Sequence, residues 1–268
     1  MSIRVVDADD EHSRYVSLCT HIDEKGPVRM RAADMRLQWL KNQAKLGGMK
    51  TKVAIDENGK PLGFIHIVPI ESPSSGMIGR DLMVIPCLTI NYQLVYKRVH
   101  GTGVGKALVQ ACEQEAGKKD FKGLAIYAYS GDFWFMPSVF FQKLGFEKVP
   151  SASNIWVKKW AKIGDPTEPI VHYEYIPVSG KVVIDFFWSP YCLTVCVEVT
   201  NIREVASEFD ERVVLREYRT DDPEIFARYG ITRAIYINGK HKDWGYAAPK
   251  EELLKEIQRA FDAISKIL

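Results

Sequence analysis

Apolar and polar positions alternate along this chain in two successive patterns. The first begins with a short strand from Ser2 to Val6. Helical spacing follows over Glu11 to Lys25 and Arg29 to Leu46, where Met35, Leu37, Trp39, Leu40 and Leu46 supply the apolar contacts and Gly47-Gly48 ends the run. Lys52 to Asp56 and Leu62 to Val68 read as paired strands joined by Glu57-Asn58-Gly59-Lys60, because Asn-Gly takes positive φ at little cost. A Ser/Pro/Gly loop covers Ser72 to Gly79. Val84 to Val95 is a long apolar strand running into a glycine turn at His100 to Gly105. The helix expected over Lys106 to Lys118 turns Ala107, Leu108, Ala111 and Ala116 to one face. Leu124 to Tyr129 reads as a strand, Pro137 to Leu144 as a short helix stopped by Gly145, and Ile155 to Trp160 as a strand.

Residues 161–170, AKIGDPTEPI, carry a glycine and two prolines that break regular structure. The second pattern follows. Val182 to Phe187 is a strand, Cys192 to Phe209 a helix, Val213 to Tyr218 a strand and Asp222 to Tyr229 a helix. Ala234 to Ile237 is a strand with an Asn-Gly turn after it, and Pro249 to Ile264 is a terminal helix. The order is β-α-β-α-β-(β)-α. The expected organisation is a domain over 1–160, a linker over 161–173 and a second domain over 174–268. The length of 268 residues agrees with two domains, at about 100–200 residues each.

Composition narrows the function classes. The chain is 46% hydrophobic and 26% charged, which favours packed cores over disorder. Lys plus Arg number 36 against 34 for Asp plus Glu, so there is no electrostatic footprint for nucleic acid. The first residues, MSIRVVDADDEHSRY, are charged and do not read as a signal peptide. No stretch approaches the roughly 18 apolar residues of a membrane span. A cytoplasmic location is expected, with the five cysteines, Cys19, Cys87, Cys112, Cys192 and Cys196, mostly reduced. The spacings show no metal set. A homodimer stays open.

The segment LVYKRVHGTGVGKALVQACEQEA, Leu94 to Ala116, carries the first chemical signal. Gly101, Gly103 and Gly105 allow a sharp turn and remove side chains that would block a phosphate. The turn amides and the helix start then form an anion site, with Lys97, Arg98, His100 and Lys106 as further donors. The spacing excludes a P-loop, because no G-x-x-x-x-G-K-[ST] is present, and it is not the G-x-G-x-x-G of a dinucleotide-binding unit.

Val95 to Leu108 resembles the motif V-x-x-x-x-[RQ]-G-x-G-x-[GA]-K-A-L of GNAT acetyltransferases, with His100 where Arg or Gln is usual. KGLAIYAY, Lys122 to Tyr129, resembles the next strand of that family. VFFQKLGFEKV, Val139 to Val149, resembles its Y-x-K-x-G-F signature. The resemblance covers most of residues 1–160. It implies a GNAT fold with a mixed central sheet, acetyl-CoA as cosubstrate and direct transfer of acetyl to the amine of a small-molecule or peptide acceptor. Leu94 and Val95 would pair with the pantetheine, and His100, Gly101, Thr102, Gly103, Val104, Gly105 and Lys106 would hold the pyrophosphate. Phe141 stands where many members place a tyrosine that protonates the leaving thiolate, and Phe has no proton to give. The attacking amine must be neutral, which calls for a base or a water chain. Tyr129, Tyr92 and His66 are candidates, with Cys87 close by. Asp132 could bind the amine, and Phe133-Trp134-Phe135-Met136 reads as a lid or as core.

VVIDFFWSPYCLTVC, Val182 to Cys196, resembles the first strand and active-site turn of thioredoxin-fold proteins, and the elements after it keep that fold's order. The cysteines are C-x-x-x-C rather than C-x-x-C, and Arg233 falls near the position of the usual cis-proline. Cys192 at the helix start and Cys196 one turn further are the candidate thiol pair. The fold class expected for the whole chain is α/β (α+β): a GNAT domain followed by a thioredoxin-like β-α-β-α-β-β-α domain, a combination that resembles the YoaP-type two-domain acetyltransferases. The alternatives are a thiol-redox or thiophile-binding protein built on a CoA-binding scaffold, and a CoA-binding module without catalysis.

Overall fold

The computed structural model describes residues 2–19, 26–91, 102–131 and 135–265. Contacts divide the chain into two compact units, Met1–Asp23 with Leu40–Pro169, and Glu24–Trp39 with Ile170–Leu268. The expected linker 161–173 spans the Pro169/Ile170 break. That Glu24–Trp39 belong with the second unit is announced by no local pattern. Among the described residues, no helix is long and apolar enough to cross a membrane.

In the first unit, strands β1 (Arg4–Asp7), β2 (Lys50–Ile55), β3 (Pro61–Pro69) and β4 (Met83–Ile90) form an antiparallel run. Strand β4 pairs parallel with β5 (Gly123–Tyr127). Strand β7 (Ile155–Lys159) and the short β6 (Glu147–Lys148) complete seven strands in the order β1-β2-β3-β4-β5-β7-β6. Helix α1 (Asp10–Leu18) opens under an Asp9 cap, whose carboxylate accepts from the amide of His12. It stops at Cys19, φ 56°, earlier than the expected Lys25, and residues 20–25 lie outside the described residues. Helix α2 is Pro27–Leu46, α3 is Val104–Lys118 and α4 is Ser138–Lys143. The β2–β3 hairpin uses positive φ at Gly59 alone. The Asp56 carboxylate accepts from the amides of Asn58 and Lys60, and the register shifts at Ala54/Ile55.

Strand pleating sends Ile65 and Ile67 to one face, where they meet Val104, Leu108, Cys112 and Ala116 of α3 together with Leu124 and Ile126. Each such large side chain contributes about 1.5–3 kcal/mol of burial. Phe64 and His66 point to the other face, and the Phe64 ring meets Tyr15 of α1 edge-on at 6.2 Å. One charge cluster crosses from sheet to helix. Glu115 of α3, 7% exposed in its side chain, pairs with Lys50 at 2.5 Å and Lys52 at 3.4 Å, and Lys52 also bonds Asp7 at 2.5 Å.

The second unit has strands β8 (Val182–Trp188), β9 (Val213–Arg219), β10 (Ala234–Ile237) and β11 (Lys240–Lys242) in the order β11-β10-β8-β9. Strands β8 and β9 are parallel, and the β10 and β11 pairings are antiparallel. Helices α5 (Leu193–Ser207), α6 (Pro223–Tyr229) and α7 (Lys250–Ser265) complete the expected β-α-β-α-β-β-α order. Val182, Ile184, Phe186 and Trp188 enter a core with Val195, Val199, Ile202, Leu253 and Ile257. Phe187 faces the opposite side among Tyr173, Tyr218, Tyr229 and Tyr236. Asn238 and Gly239 both take positive φ, 47° and 76°, as a two-residue hairpin turn requires. The first part of α2 packs here: Met35 joins the core, and the Trp39 indole donates to Asp221 at 2.8 Å.

The charge cluster leads to a prediction. The Lys50 ammonium, with Lys52 adding to it, holds the Glu115 carboxyl below its ordinary 4.5, and Lys52 holds Asp7 below its ordinary 3.8. A carboxylate lowered on folding stabilises fully above its unfolded value and loses that stabilisation as pH falls through the folded one. Glu115→Gln should therefore cost about 1–2 kcal/mol at neutral pH. It should also flatten the acid side of the stability curve. Thermal melts from neutrality into the acid range check both, and a variant with the wild-type acid slope would contradict the assignment.

Candidate functional site

Helix α3 starts on glycine. Gly103 is its N-cap at φ 83°, in the left-handed region, and no side chain caps it. The first helical bond runs from the Ala107 amide to the Gly103 carbonyl at 2.9 Å. The amides of Val104, Gly105 and Lys106 precede it, so they have no carbonyl within the helix to donate to. Gly103 and Lys106 are exposed, Thr102 is half-buried and Val104 is buried. A Cβ on Gly105 would lie 2.9 Å from the Phe140 ring and 3.4 Å from Ile90 Cδ1, so glycine is needed for α3 to sit this close to α4 and β4. The result is a set of amides without partners in the helix at the positive end of its 15 residues, an arrangement suited to an anion. Of the residues expected to hold the cofactor, Thr102, Gly103, Val104, Gly105 and Lys106 are brought together here. Leu94, Val95, His100 and Gly101 lie outside the described residues, as do Tyr92, Lys97, Arg98, Asp132, Phe133 and Trp134.

Beside this helix start the sheet opens. Strand β4 pairs with β5 only over Met83–Ile85 against Leu124–Ile126, yet it stays paired with β3 as far as Ile90. Pro86, which has no amide to donate, stands at the point of separation. Strand β4 thus parts from β5 well before Leu94 in the sequence. Cys87, Leu88, Thr89 and Ile90 flank the opening on one side, and Tyr127 to Tyr129 follow the last paired residue on the other.

The remaining candidates take definite positions. His66 is fully buried on β3, its Nδ1 2.8 Å from Thr51 Oγ1 on β2. Cys87 is its cross-strand partner on β4, with Sγ 3.5 Å from Thr89 Oγ1. Tyr129 is fixed by its backbone, donating to the Met136 carbonyl at 3.0 Å and accepting from the Ser138 amide at 2.8 Å. Burial pushes its hydroxyl pKa up. The Tyr127 hydroxyl donates to the Gly76 carbonyl at 2.6 Å. Phe135 and Met136 join the core. Phe141 is 0% exposed, its ring packed edge-on against Phe140 at 4.9 Å and Phe146 at 5.6 Å. The Phe141 side chain is therefore part of the hydrophobic core. Thr51 was not legible as a site residue, since its relation to His66 comes from strand register alone.

In the second unit Cys192 is the N-cap of α5 and half-buried, whereas Cys196 is fully buried. The Cys196 amide donates to the Cys192 carbonyl at 3.1 Å, and its thiol donates to the Pro190 carbonyl at 3.5 Å. Burial pushes the Cys196 thiol pKa up to about 12. Arg36, 1% exposed, donates through Nε to the Tyr191 carbonyl at 2.9 Å and steadies the turn before Cys192. Arg233 immediately precedes β10. Its guanidinium grips the buried Glu198 carboxylate at 3.0 and 2.9 Å and donates to the Tyr246 carbonyl at 2.8 Å. Neither Arg36 nor Glu198 was foreseen. Arg36 acts on a carbonyl 155 positions away, beyond any local pattern.

Residues 17–146 match the model of the acetyltransferase (GNAT) family. The chain carries a GNAT acetyltransferase domain. Among solved structures, the PaiA N-acetyltransferase of Thermoplasma acidophilum in complex with coenzyme A is 16% identical. That match covers 60% of this chain and 100% of that one, with a TM-score of 0.43. A GNAT family acetyltransferase of Brucella melitensis in complex with acetyl-CoA is 12% identical, over 62% of this chain and 94% of that one, with a TM-score of 0.40. A thioredoxin of Griffithsia pacifica is 34% identical over 94 residues, 33% of this chain and 85% of that protein. Over that third of its length the chain belongs to the thioredoxin family.

Two outcomes are expected. Phe141→Tyr places a hydroxyl in a filled core and should destabilise the fold by about 1–3 kcal/mol, read as a lower urea midpoint; unchanged stability would show that the position reaches solvent. Graded alkylation followed by peptide mass spectrometry should modify Cys192 well ahead of Cys196, and equal rates would contradict the burial difference.

Proposed function

We propose that this chain is an acetyl-CoA-dependent N-acetyltransferase acting on the amine of a small molecule or peptide. The observation that carries the reading is the parting of β4 from β5 beside the amide-lined start of α3. A parted pair exposes unused backbone donors and acceptors of β4, which suit an amide-bearing chain such as pantetheine. The amides of Val104 to Lys106 suit its pyrophosphate, and the absence of side chains at Gly103 and Gly105 leaves the approach clear. On the resemblance, His100 and Gly101 complete this cradle and Leu94 and Val95 continue the pantetheine edge. Acetyl-CoA supplies an activated thioester. The protein's part is to fix the carbonyl in the opening and admit a neutral amine to it. Phe141 contributes packing and no proton. This reading places the chain in the cytoplasm, with its five thiols reduced.

A second reading, thiol chemistry or thiophile binding by the second unit, is supported by the half-exposed Cys192 at the start of α5. In the combined picture that unit selects substrate or provides thiol-based regulation of the transferase.

Gly103→Asp tests the cofactor site. The substituted Cβ meets nothing within 4 Å, and Asp tolerates left-handed φ better than most residues, so the fold should persist. Its carboxylate would repel the pyrophosphate. Isothermal calorimetry should show acetyl-CoA binding lost in a folded variant, and undiminished affinity would remove this turn from the site.

A further inference from the structure

Four polar side chains of β2, β3 and β4 form a line in the first unit. Directly opposite residues on neighbouring strands share a face, so the registers of Thr51 with His66 and of His66 with Cys87 set three polar groups in one row across β2, β3 and β4. The two-residue period of β4 adds Thr89 to that face. His66 is 0% exposed, Thr89 6% and Cys87 7%. Apolar residues would pack this face without the desolvation cost that buried polar groups carry.

Both ends of the row lead somewhere. Cys87 lies two residues beyond Ile85, the last β4 residue paired with β5, and so flanks the opening. Thr51 lines a surface cavity of about 40 Å³ with Ser13, Gln43 and Ala44, room enough for a water molecule. Helix α3, with the amides suited to the cofactor's phosphates, covers the opposite face, that of Ile65, Ile67 and Ile90. The face of the row packs against α1, and its Cys87 end reaches the opening, where an acceptor would meet it. Titratable groups on this face include Cys87 and Tyr15 of α1, whose hydroxyl is buried without a hydrogen-bond partner among the described residues.

We propose that Thr89, Cys87, His66 and Thr51 form the path by which the acceptor amine loses its proton, an inference that rests on the acetyltransferase reading. The acceptor ammonium gives one proton to the row, where His66 holds it and Thr51 orients the imidazole. The neutral amine then attacks the thioester carbonyl carbon. The C–N bond forms, the C–S bond breaks and its electron pair leaves on the CoA sulfur. The nitrogen's second proton ends on that sulfur, and the first passes from His66 by Thr51 to water in the cavity. Ammonium plus thioester gives amide, thiol and one released proton. His66 acts here as a relay, not in contact with the substrate.

The test compares two acceptors on the full chain. n-Butylamine is protonated near neutrality and needs the path, whereas hydroxylamine is already neutral there and does not. In His66→Gln, which keeps a hydrogen-bonding group beside Thr51, kcat/KM for n-butylamine should fall about 10²-fold while hydroxylamine transfer is unchanged. Thr51→Val, a second variant of nearly the same shape, should show a smaller loss with the same selectivity. Equal losses with both acceptors, or no loss with either, would overturn the relay. Calorimetry with acetyl-CoA separates the two levels. A wild type that fails to bind it overturns the acetyltransferase reading itself, whereas intact binding with an unselective loss overturns only the path.

Discussion

The end of β4–β5 pairing at Ile85 governs the first unit. A parallel pair normally extends its ladder as far as both strands run, because each added residue satisfies backbone groups that would otherwise need water. Here β4 keeps its bonds to β3 through Ile90 while β5 turns to β7, whose antiparallel pairing runs from Gly123–Lys159 to Tyr127–Ile155. The opening is therefore made by two well-paired neighbours pulling apart, not by disorder of either strand. Both edges stay firm, and an amide-bearing ligand meets fixed partners.

The packing of α3 follows from the same arrangement. The helix connects β4 to β5 and lies over the sheet with Leu108, Cys112 and Ala116 inward. Gly105 lets its first turn come close to Phe140 and Ile90. A larger residue there would push the helix start away from the opening. Glu115, held by Lys50 and Lys52, ties the later part of the helix to β2. Hydrophobic contact thus sets the helix's depth, and a charge cluster of modest energy fixes its bearing on the sheet.

In the second unit the two cysteines occupy unlike environments on one helix. The spacing of four carries Cys196 a full turn inward, under the Pro190 carbonyl, and leaves Cys192 at the cap. Arg36 and the Arg233–Glu198 pair brace the surrounding turns. Buried ion pairs of this kind contribute little net stability but hold their backbone neighbours in one arrangement.

Local order was legible in the chain because it depends on local physics. Helical and strand periods placed nearly every element to within a few residues, and the glycines at 103 and 105 marked the helix start because glycine takes a left-handed cap most readily and leaves room for a close ring contact. The short β6 was missed because two residues leave no period to read. The order of elements also carried both fold resemblances. Tertiary structure alone decided the rest. It assigned Glu24–Trp39 to the second unit, buried Phe141 in the core, ended the β4–β5 ladder at Ile85 and set Thr51 beside His66. Each of these depends on register or on contacts between residues far apart in sequence, and a one-residue shift in register would send the same side chains to the opposite face.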